Sequence, residues 1–140
     1  MKAHLTRRYW FSASHRLHSD DMSESENVAT YGKCNNPYGH GHNYALEVTV
    51  NGHVDRATGM VCNLADLDGF VQDNVIGRFE HVNLNTLQEF AGCVPTTENL
   101  CTEIYEILHR GFHHAHLEKV RLEETGSNSF EYAGGDEPRH

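Results

Sequence analysis

The chain contains 140 residues, of which 38% are hydrophobic and 22% charged, a balance typical of a folded globular protein. Its 20 acidic and 11 basic residues give a formal net charge of −9, which argues against binding to nucleic acid or to an anionic membrane surface. We expect one domain over residues 1–140, with a core that needs no disulfide bonds.

The sequence shows no export or membrane signal. The N-terminal region lacks an apolar segment followed by a small-residue cleavage site, and no apolar run approaches the roughly 20 residues of a membrane span. We therefore expect a cytoplasmic protein whose four cysteines are reduced thiols. None of them forms a C-x-x-C pair, so the sequence predicts neither a thiolate zinc knuckle nor a thioredoxin-type motif.

The first half of the chain is predicted to contain two strands separated by a long loop. Residues 3–14 combine apolar and aromatic side chains, and residues 42–53 alternate between apolar and polar side chains with period two. Residues 17–38 are polar and acidic, which predicts a loop, and a loop of this length is usually functional or disordered. Residues 55–59 are predicted to form a turn.

Two helices are predicted to follow. The apolar side chains of residues 65–79 recur near one stripe, and those of residues 97–113 do the same. Thr97 is a candidate N-cap of the second helix, since a threonine hydroxyl can accept a hydrogen bond from the first free backbone N–H groups.

The end of the chain is predicted to form two more strands. Residues 118–124 and 129–133 fit a hairpin that turns at residues 126–128, and residues 134–140 are polar enough to form a loose tail. The order strand, strand, helix, helix, strand, strand predicts an α+β domain. In this architecture an antiparallel four-stranded sheet carries two helices on one face.

Three histidines are candidates for a metal site. His40 and His42 open the second predicted strand, where alternate residues point to the same face, and Gly41 between them leaves room. His15 ends the first strand, so pairing of these strands would bring it beside the other two. Three imidazoles and one open position are the composition of a catalytic zinc site. The alternative is that the two strand histidines are polar residues on a solvated face.

A second histidine cluster follows the second predicted helix. It consists of His113, His114 and His116. Histidines at a helix C-terminus can cap free carbonyl groups and interact favourably with the helix dipole. We interpret this cluster in that way, since the sequence offers it no distant partner.

A thiol and a carboxylate–imidazole pair are candidates for proton transfer. Cys34 lies six residues before His40 and next to Lys33, and a nearby cation favours the thiolate. Glu80 and His81 follow the first predicted helix, and a carboxylate beside an imidazole can fix its tautomer and support a base. The alternatives are an inert loop thiol and a solvated pair at a helix end.

Glu124 is a candidate substrate-binding residue. It lies on a predicted strand with alternating apolar residues, at Val120 and Leu122. A carboxylate on a sheet can accept two hydrogen bonds from the guanidine-like edge of a heterocycle. The alternative is an exposed strand glutamate.

Several motifs of the chain resemble a known enzyme family. They are FSASHRL (11–17), YGKCNNPYGHGHNY (31–44), TGMVCNLADL (58–67), PTTENL (95–100) and VRLEETGSN (120–128). The resemblance runs from about residue 8 to residue 133 and keeps the order of the motifs. On these motifs the chain resembles the 6-pyruvoyltetrahydropterin synthase family.

The resemblance implies a fold, an assembly and a reaction. It implies a tunnelling fold, in which the sheets of several subunits join into a barrel, and a homohexamer made of two trimers with active sites at subunit interfaces. The implied substrate is 7,8-dihydroneopterin triphosphate, which loses triphosphate and rearranges to 6-pyruvoyltetrahydropterin in tetrahydrobiopterin synthesis. The implied cofactors are one zinc ion per subunit and magnesium with the substrate triphosphate.

The resemblance also implies roles for single residues. It makes His15, His40 and His42 the zinc ligands, Cys34 the catalytic thiol and His81 the histidine of the catalytic relay. The residues implied to bind the pterin are Glu124, Thr96, Thr97 and Glu98. One departure concerns the relay, since the family has Asp-His where this chain has Glu80 before His81. The longer glutamate must fold back to reach the same partner.

Two other functions stay open on these residues. The 6-carboxytetrahydropterin synthases of queuosine biosynthesis usually place fewer residues between the thiol and the H-G-H segment. Five residues separate Cys34 from His40 here, which favours the tetrahydrobiopterin-type enzyme. The other alternative is a zinc- or pterin-binding module without catalysis. Only the replacement of the family's aspartate by Glu80 favours it.

Overall fold

A four-stranded antiparallel sheet forms the centre of the computed structural model, which describes residues 1–135. The strands lie in the order β1-β2-β3-β4. Their bounds are Lys2–His15 for β1, His40–His53 for β2, His116–Thr125 for β3 and Asn128–Tyr132 for β4. The four predicted strands are confirmed, and β2 begins two residues earlier than predicted. Both His40 and His42 therefore belong to the strand.

Strand pairing places the ends of β1 and β2 together. His15 pairs with His40, and Ala13 pairs with His42. Directly paired residues project from the same face of an antiparallel sheet, so the three histidines share one face. The predicted hairpin is also confirmed, because Thr125 pairs with Asn128 across a two-residue turn.

The structure contains the two predicted helices and a further helix within the predicted loop. Helix α1 covers Glu24–Tyr31, α2 covers Leu64–Val71 and α3 covers Thr97–Gly111. Helix α2 continues through a π-helical turn at Gln72–Ile76 to a last helical turn at Gly77–Phe79, which matches the predicted end. Short 3₁₀ helices lie at Gly32–Asn35, Leu84–Thr86 and Gln88–Phe90.

The prediction that residues 17–38 form only a loop is wrong, because α1 lies within them. The Ser23 hydroxyl accepts a hydrogen bond from the backbone N–H of Glu26, and the Glu26 carboxylate accepts one from the N–H of Ser23. This reciprocal capping box satisfies two N–H groups that a helix start otherwise leaves free. The Ser-x-x-Glu spacing is visible in the sequence, but no apolar stripe accompanies it.

The predicted cap of α3 is one residue out of place. The hydroxyl of Thr96, not that of Thr97, accepts the hydrogen bond from the backbone N–H of Asn99. Thr97 is instead buried as the first helical residue. At the other end, the ring of His113 donates to the carbonyl of Arg110, which confirms the predicted capping role.

The core lies between the sheet and the helices. Each buried leucine or valine in it contributes roughly 1.5–3 kcal/mol relative to an exposed one. The central core residues are Phe11, Tyr44, Leu46, Val48, Leu67, Val71, Leu100, Ile104 and Leu108. The other face of the sheet is polar and uncovered in the single chain, and Trp10 on it is 65% exposed. The helices thus cover one face only, as predicted.

The remaining predictions on the fold concern thiols, membrane spans and the tail. Cys34, Cys62, Cys93 and Cys101 are all thiols that take part in no disulfide. Within residues 1–135, no helix has the length and apolar character that crossing a membrane requires. Most of the predicted tail, residues 136–140, lies outside the described part of the chain.

Candidate metal centre and substrate site

Four metal-binding side chains meet where β1 ends and β2 begins. One ligand atom each of His15, Cys34, His40 and His42 lies within 4.8 Å of the other three. The histidines come from the paired strand ends, and Cys34 comes from the 3₁₀ helix that follows α1. These residues are distant in sequence, so only the pairing of β1 with β2 brings them together.

His15 is held in the tautomer that a metal requires. Its Nδ1 donates a hydrogen bond to the carbonyl of Pro95 at 2.8 Å, which leaves Nε2 as the atom with a free lone pair. That Nε2 atom is buried and has no hydrogen-bond partner within residues 1–135. Burial also lowers the pKa of His15 and favours the neutral ring. A buried, neutral and unpartnered nitrogen is costly unless a ligand occupies it.

His40 and His42 complete the nitrogen donor set. Their Nε2 atoms lie 2.8 Å apart, and each ring packs edge-on against His15 with ring centroids 4.9 Å apart. Burial lowers the pKa of His40, and its Nδ1 is buried without a partner in the described chain. Three imidazoles clustered at one point fit a transition metal such as zinc.

A tight turn delivers the cysteine segment and β2 to this point. Gly39 has a φ angle of 73°, and a Cβ there would lie 3.1 Å from the carbonyl oxygen of His15. Any other residue would therefore be strained in its backbone and crowded against β1. The backbone N–H of Leu17 donates to the carbonyl of Cys34 at 2.7 Å and holds the two segments together.

Cys34 differs electrostatically from the prediction. Burial, and secondarily the charge of Glu124, raise the pKa of its thiol. The neighbouring Lys33 is exposed, so the expectation that this cation favours the thiolate is not met. A positive metal ion beside the sulfur would act in the opposite direction and favour the thiolate.

Glu124 and Thr97 lie directly against the histidines. One carboxylate oxygen of Glu124 is 2.9 Å from Nε2 of His42, and the other accepts a hydrogen bond from the Thr97 hydroxyl. The structure thus brings these two predicted pterin-binding residues together. Thr96 is engaged in capping α3, while Glu98 is exposed in the first turn of that helix.

Tyr44 is a residue of this site that the sequence analysis did not select. It is fully buried, its ring stacks on Phe11 at 5.1 Å, and its hydroxyl has no hydrogen-bond partner in residues 1–135. Burial raises the pKa of its phenol, so the hydroxyl stays protonated. Tyr44 lies two residues after His42, so the same period-two argument places it on the same face.

His81 lies apart from the four-residue cluster. It has a φ angle of 58°, which is uncommon for a residue with a Cβ, and its N–H donates to the carbonyl of Ser12. Its side chain is 79% exposed, and its Nε2 is 4.0 Å from the Glu80 carboxylate. It lines a shallow cavity beside the ends of β1 and β2, and the other lining residues include Ser12, Asn43 and the cluster residue His42. The compact group that contains Cys34 therefore does not include His81 of the same chain.

The histidines after α3 do not form a comparable centre. Throughout residues 1–135, the only histidine, cysteine or carboxylate group compact enough to hold a metal is the cluster around His15. His113 caps the helix, and His116 is the first residue of β3.

Comparisons with known proteins agree with the geometry. The family model described as 6-pyruvoyl tetrahydropterin synthase matches residues 4–135. The 6-pyruvoyl tetrahydrobiopterin synthase of Homo sapiens is 46% identical over 134 residues, which cover 95% of this chain and 92% of that protein.

A solved structure and a more distant relative extend the comparison. The 6-pyruvoyl tetrahydropterin synthase structure from Caenorhabditis elegans superposes with a TM-score of 0.91 at 40% identity, covering 96% of this chain and 97% of that chain. A protein of Archaeoglobus fulgidus named as a putative 6-carboxy-5,6,7,8-tetrahydropterin synthase is 33% identical over 108 residues. That match covers 76% of this chain and 84% of the other.

Proposed function

Since the chain belongs to the 6-pyruvoyl tetrahydropterin synthase family and is an enzyme of the lyase type, we propose that it converts 7,8-dihydroneopterin triphosphate to 6-pyruvoyltetrahydropterin. Triphosphate is the other product. The observation that carries this proposal is the contact of Glu124 with His42, because the carboxylate that we propose to bind the heterocycle lies beside a cluster that could hold a metal.

In this proposal His15, His40 and His42 hold one zinc ion. When bound, zinc supplies a Lewis acid that polarises the side-chain oxygens of the substrate and lowers the cost of removing a neighbouring proton. The Pro95 carbonyl supports this role of His15, because it fixes the ring orientation and the tautomer. Magnesium would accompany the triphosphate in solution rather than occupy the histidine cluster.

Glu124 and Thr97 orient the pterin. The Glu124 carboxylate has two oxygens, which match two adjacent N–H groups on the guanidine-like edge of the ring. The Thr97 hydroxyl holds one of these oxygens, and helix α3 holds Thr97 in turn. The ring edge is thereby fixed beside His42, and the substrate side chain lies over the histidines.

Cys34 moves protons on the substrate side chain. Its sulfur lies within 4.8 Å of the histidine ligand atoms, close enough to reach carbons held there. Since burial raises its pKa, the thiol needs a cationic partner to act as a base. In this proposal His81 exchanges protons with this thiol, and Glu80 orients the imidazole ring of His81.

The position of His81 favours its action on a neighbouring subunit. Its exposed side chain at the edge of β1 can enter the site of another copy, as the implied homohexamer with interfacial sites requires. We expect Cys34→Ala and His81→Ala subunits, each inactive alone, to regain up to about a quarter of the activity when coexpressed, since random assembly restores that share of sites. Activity of the mixed preparation is the measurement, and a mixture as inactive as its components would contradict action between subunits.

Product analysis tests the proposed function. Purified protein with its metal content measured is incubated with 7,8-dihydroneopterin triphosphate, and pterins and triphosphate are quantified. We expect 6-pyruvoyltetrahydropterin and triphosphate in equal amounts. A 6-carboxy pterin with acetaldehyde would establish the alternative that the Archaeoglobus relative favours. Absence of triphosphate release from metal-loaded protein would establish a binding module without catalysis.

A further inference from the structure

Arg16 is a half-buried arginine that has no carboxylate partner in the described chain. Within residues 1–135, five other arginines form ion pairs with Asp or Glu, and the exposed Arg56 is the remaining one without such a pair. The five paired arginines are Arg7, Arg8, Arg78, Arg110 and Arg121. In a chain with a formal net charge of −9, a partly buried guanidinium without a carboxylate marks a place where an anion can bind.

The chain holds Arg16 in a defined position. The Asn85 side chain accepts from the backbone N–H of Arg16 at 2.7 Å and donates to its carbonyl at 2.9 Å. The Nε of Arg16 donates to the carbonyl of Asn35 at 3.2 Å. These contacts fix the backbone and one edge of the guanidinium, and they leave both terminal nitrogens available for a ligand.

Arg16 borders a cavity of suitable size. Arg16 lines a cavity of about 760 Å³ together with His18 and Asn36, between α1 and the turn that carries Cys34. Cavities that bind small molecules in proteins have volumes of about 300–1,000 Å³. Among its lining residues within 1–135, only Glu24 carries a carboxylate, and Glu24 is exposed in the first turn of α1.

The order of residues along the sheet gives the direction of a bound substrate. Glu124 contacts His42, which pairs with Ala13 on β1. The next inward-facing pair toward the strand ends is His15 with His40. Beyond it, the Arg16 guanidinium donates to the carbonyl of Asn35, the residue after Cys34. A ligand whose ring binds Glu124 and whose middle lies at the histidines therefore extends its far end toward Arg16.

We propose that Arg16 binds the triphosphate of the substrate. This inference rests on the proposed function, because it assigns the end of that substrate opposite to the pterin. The two terminal nitrogens of Arg16 donate to oxygens of one phosphate group in a bidentate arrangement, which a planar guanidinium provides and an ammonium group does not.

The contact of Arg16 with the triphosphate also assists the step in which triphosphate is eliminated. The Cys34 thiolate removes a proton from the carbon next to the phosphate-bearing carbon, a carbon–carbon double bond forms, and the bond from carbon to the triphosphate oxygen breaks. The electron pair of that bond leaves on triphosphate, and the Arg16 guanidinium balances the additional negative charge. No oxidant or reductant takes part.

The test compares a phosphorylated with an unphosphorylated ligand. In Arg16→Ala, we expect the KM for 7,8-dihydroneopterin triphosphate to rise about 10- to 100-fold, the usual effect of losing a hydrogen-bonded charged contact. The Kd for unphosphorylated 7,8-dihydroneopterin and the metal content should not change. The KM of Arg16→Lys should lie between the values of the wild type and of Arg16→Ala. Arg56→Ala is the matched control, since Arg56 is exposed and lies in another turn.

Two results would overturn the assignment. One is an unchanged KM in Arg16→Ala, and the other is equal weakening of both ligands, which would indicate structural damage. If the wild-type protein does not turn over the substrate, the proposed function fails, but binding of inorganic triphosphate to metal-free protein still tests Arg16. Binding that Arg16→Ala weakens by about tenfold or more supports the assignment, and equal binding by both proteins refutes it.

Discussion

Replacement of Cys34 by alanine should greatly reduce turnover and leave the metal in place. General acid–base groups contribute about 10²- to 10⁴-fold to enzymatic rates, so we expect triphosphate release to fall by that factor. The metal should stay because His15, His40 and His42 supply three nitrogen ligands without the sulfur. The measurement combines turnover with metal content by elemental analysis on the same sample.

This experiment also decides how the sulfur is used. Three histidines and a cysteine can form a closed four-coordinate site, in which the thiolate is a ligand and no position remains for a substrate. Loss of the metal from Cys34→Ala would support that closed site and contradict the catalytic role. Cys93→Ala is the matched control, since this cysteine is exposed and lies outside the cluster.

Replacement of His15 by alanine should remove the metal and the activity together. Substitution of groups that only support metal ligands costs about 10–100-fold in metal affinity, so loss of a ligand should cost more than about 100-fold. The variant also leaves the Pro95 carbonyl without its donor in a buried place. The measurements are metal content after dialysis and release of triphosphate.

A control separates loss of the metal from loss of the fold. His113→Ala removes an exposed histidine whose ring bonds to the end of α3, and it should keep both metal and activity. Far-ultraviolet circular dichroism should show folded protein for both variants. Full metal content in His15→Ala would contradict the assignment of His15 as a ligand.

The sequence was most informative where side chains alternate or recur with a clear period. The alternation over 42–53 predicted β2, and the H-x-H spacing alone was enough to predict that two histidines share one face. The position of His15 depended on the assumption that β1 and β2 pair, and the observed register confirms that assumption. These predictions needed only local patterns and one decision about strand pairing.

The features that the sequence could not supply depend on backbone groups and on neighbouring elements. The carbonyl of Pro95 bonds to His15 across 80 residues, and a backbone carbonyl carries no signal in a sequence. The raised pKa of Cys34 results first from burial and then from the charge of Glu124, which lies far from Cys34 in sequence. Helix α1 was missed for another reason, since its capping box precedes a segment with only one buried residue, Asn27.

His81 does not join the compact group around Cys34 within one chain. Its sequence position beside Glu80 suggested a relay, but the structure places it beside the edge of β1, outside the compact group that contains Cys34. The left-handed backbone of His81 costs about 1–3 kcal/mol, and such strain concentrates at functional positions in proteins. Its role is therefore best sought between subunits.

Residues 95–97 hold both halves of the site. The carbonyl of Pro95 orients His15, while two residues later the hydroxyl of Thr97 holds Glu124. A displacement of this short segment would alter the hydrogen bonds of His15 and of Glu124 at once. If occupancy of one site shifts this segment, it changes the affinity of the other site, and linkage makes the two changes equal in size.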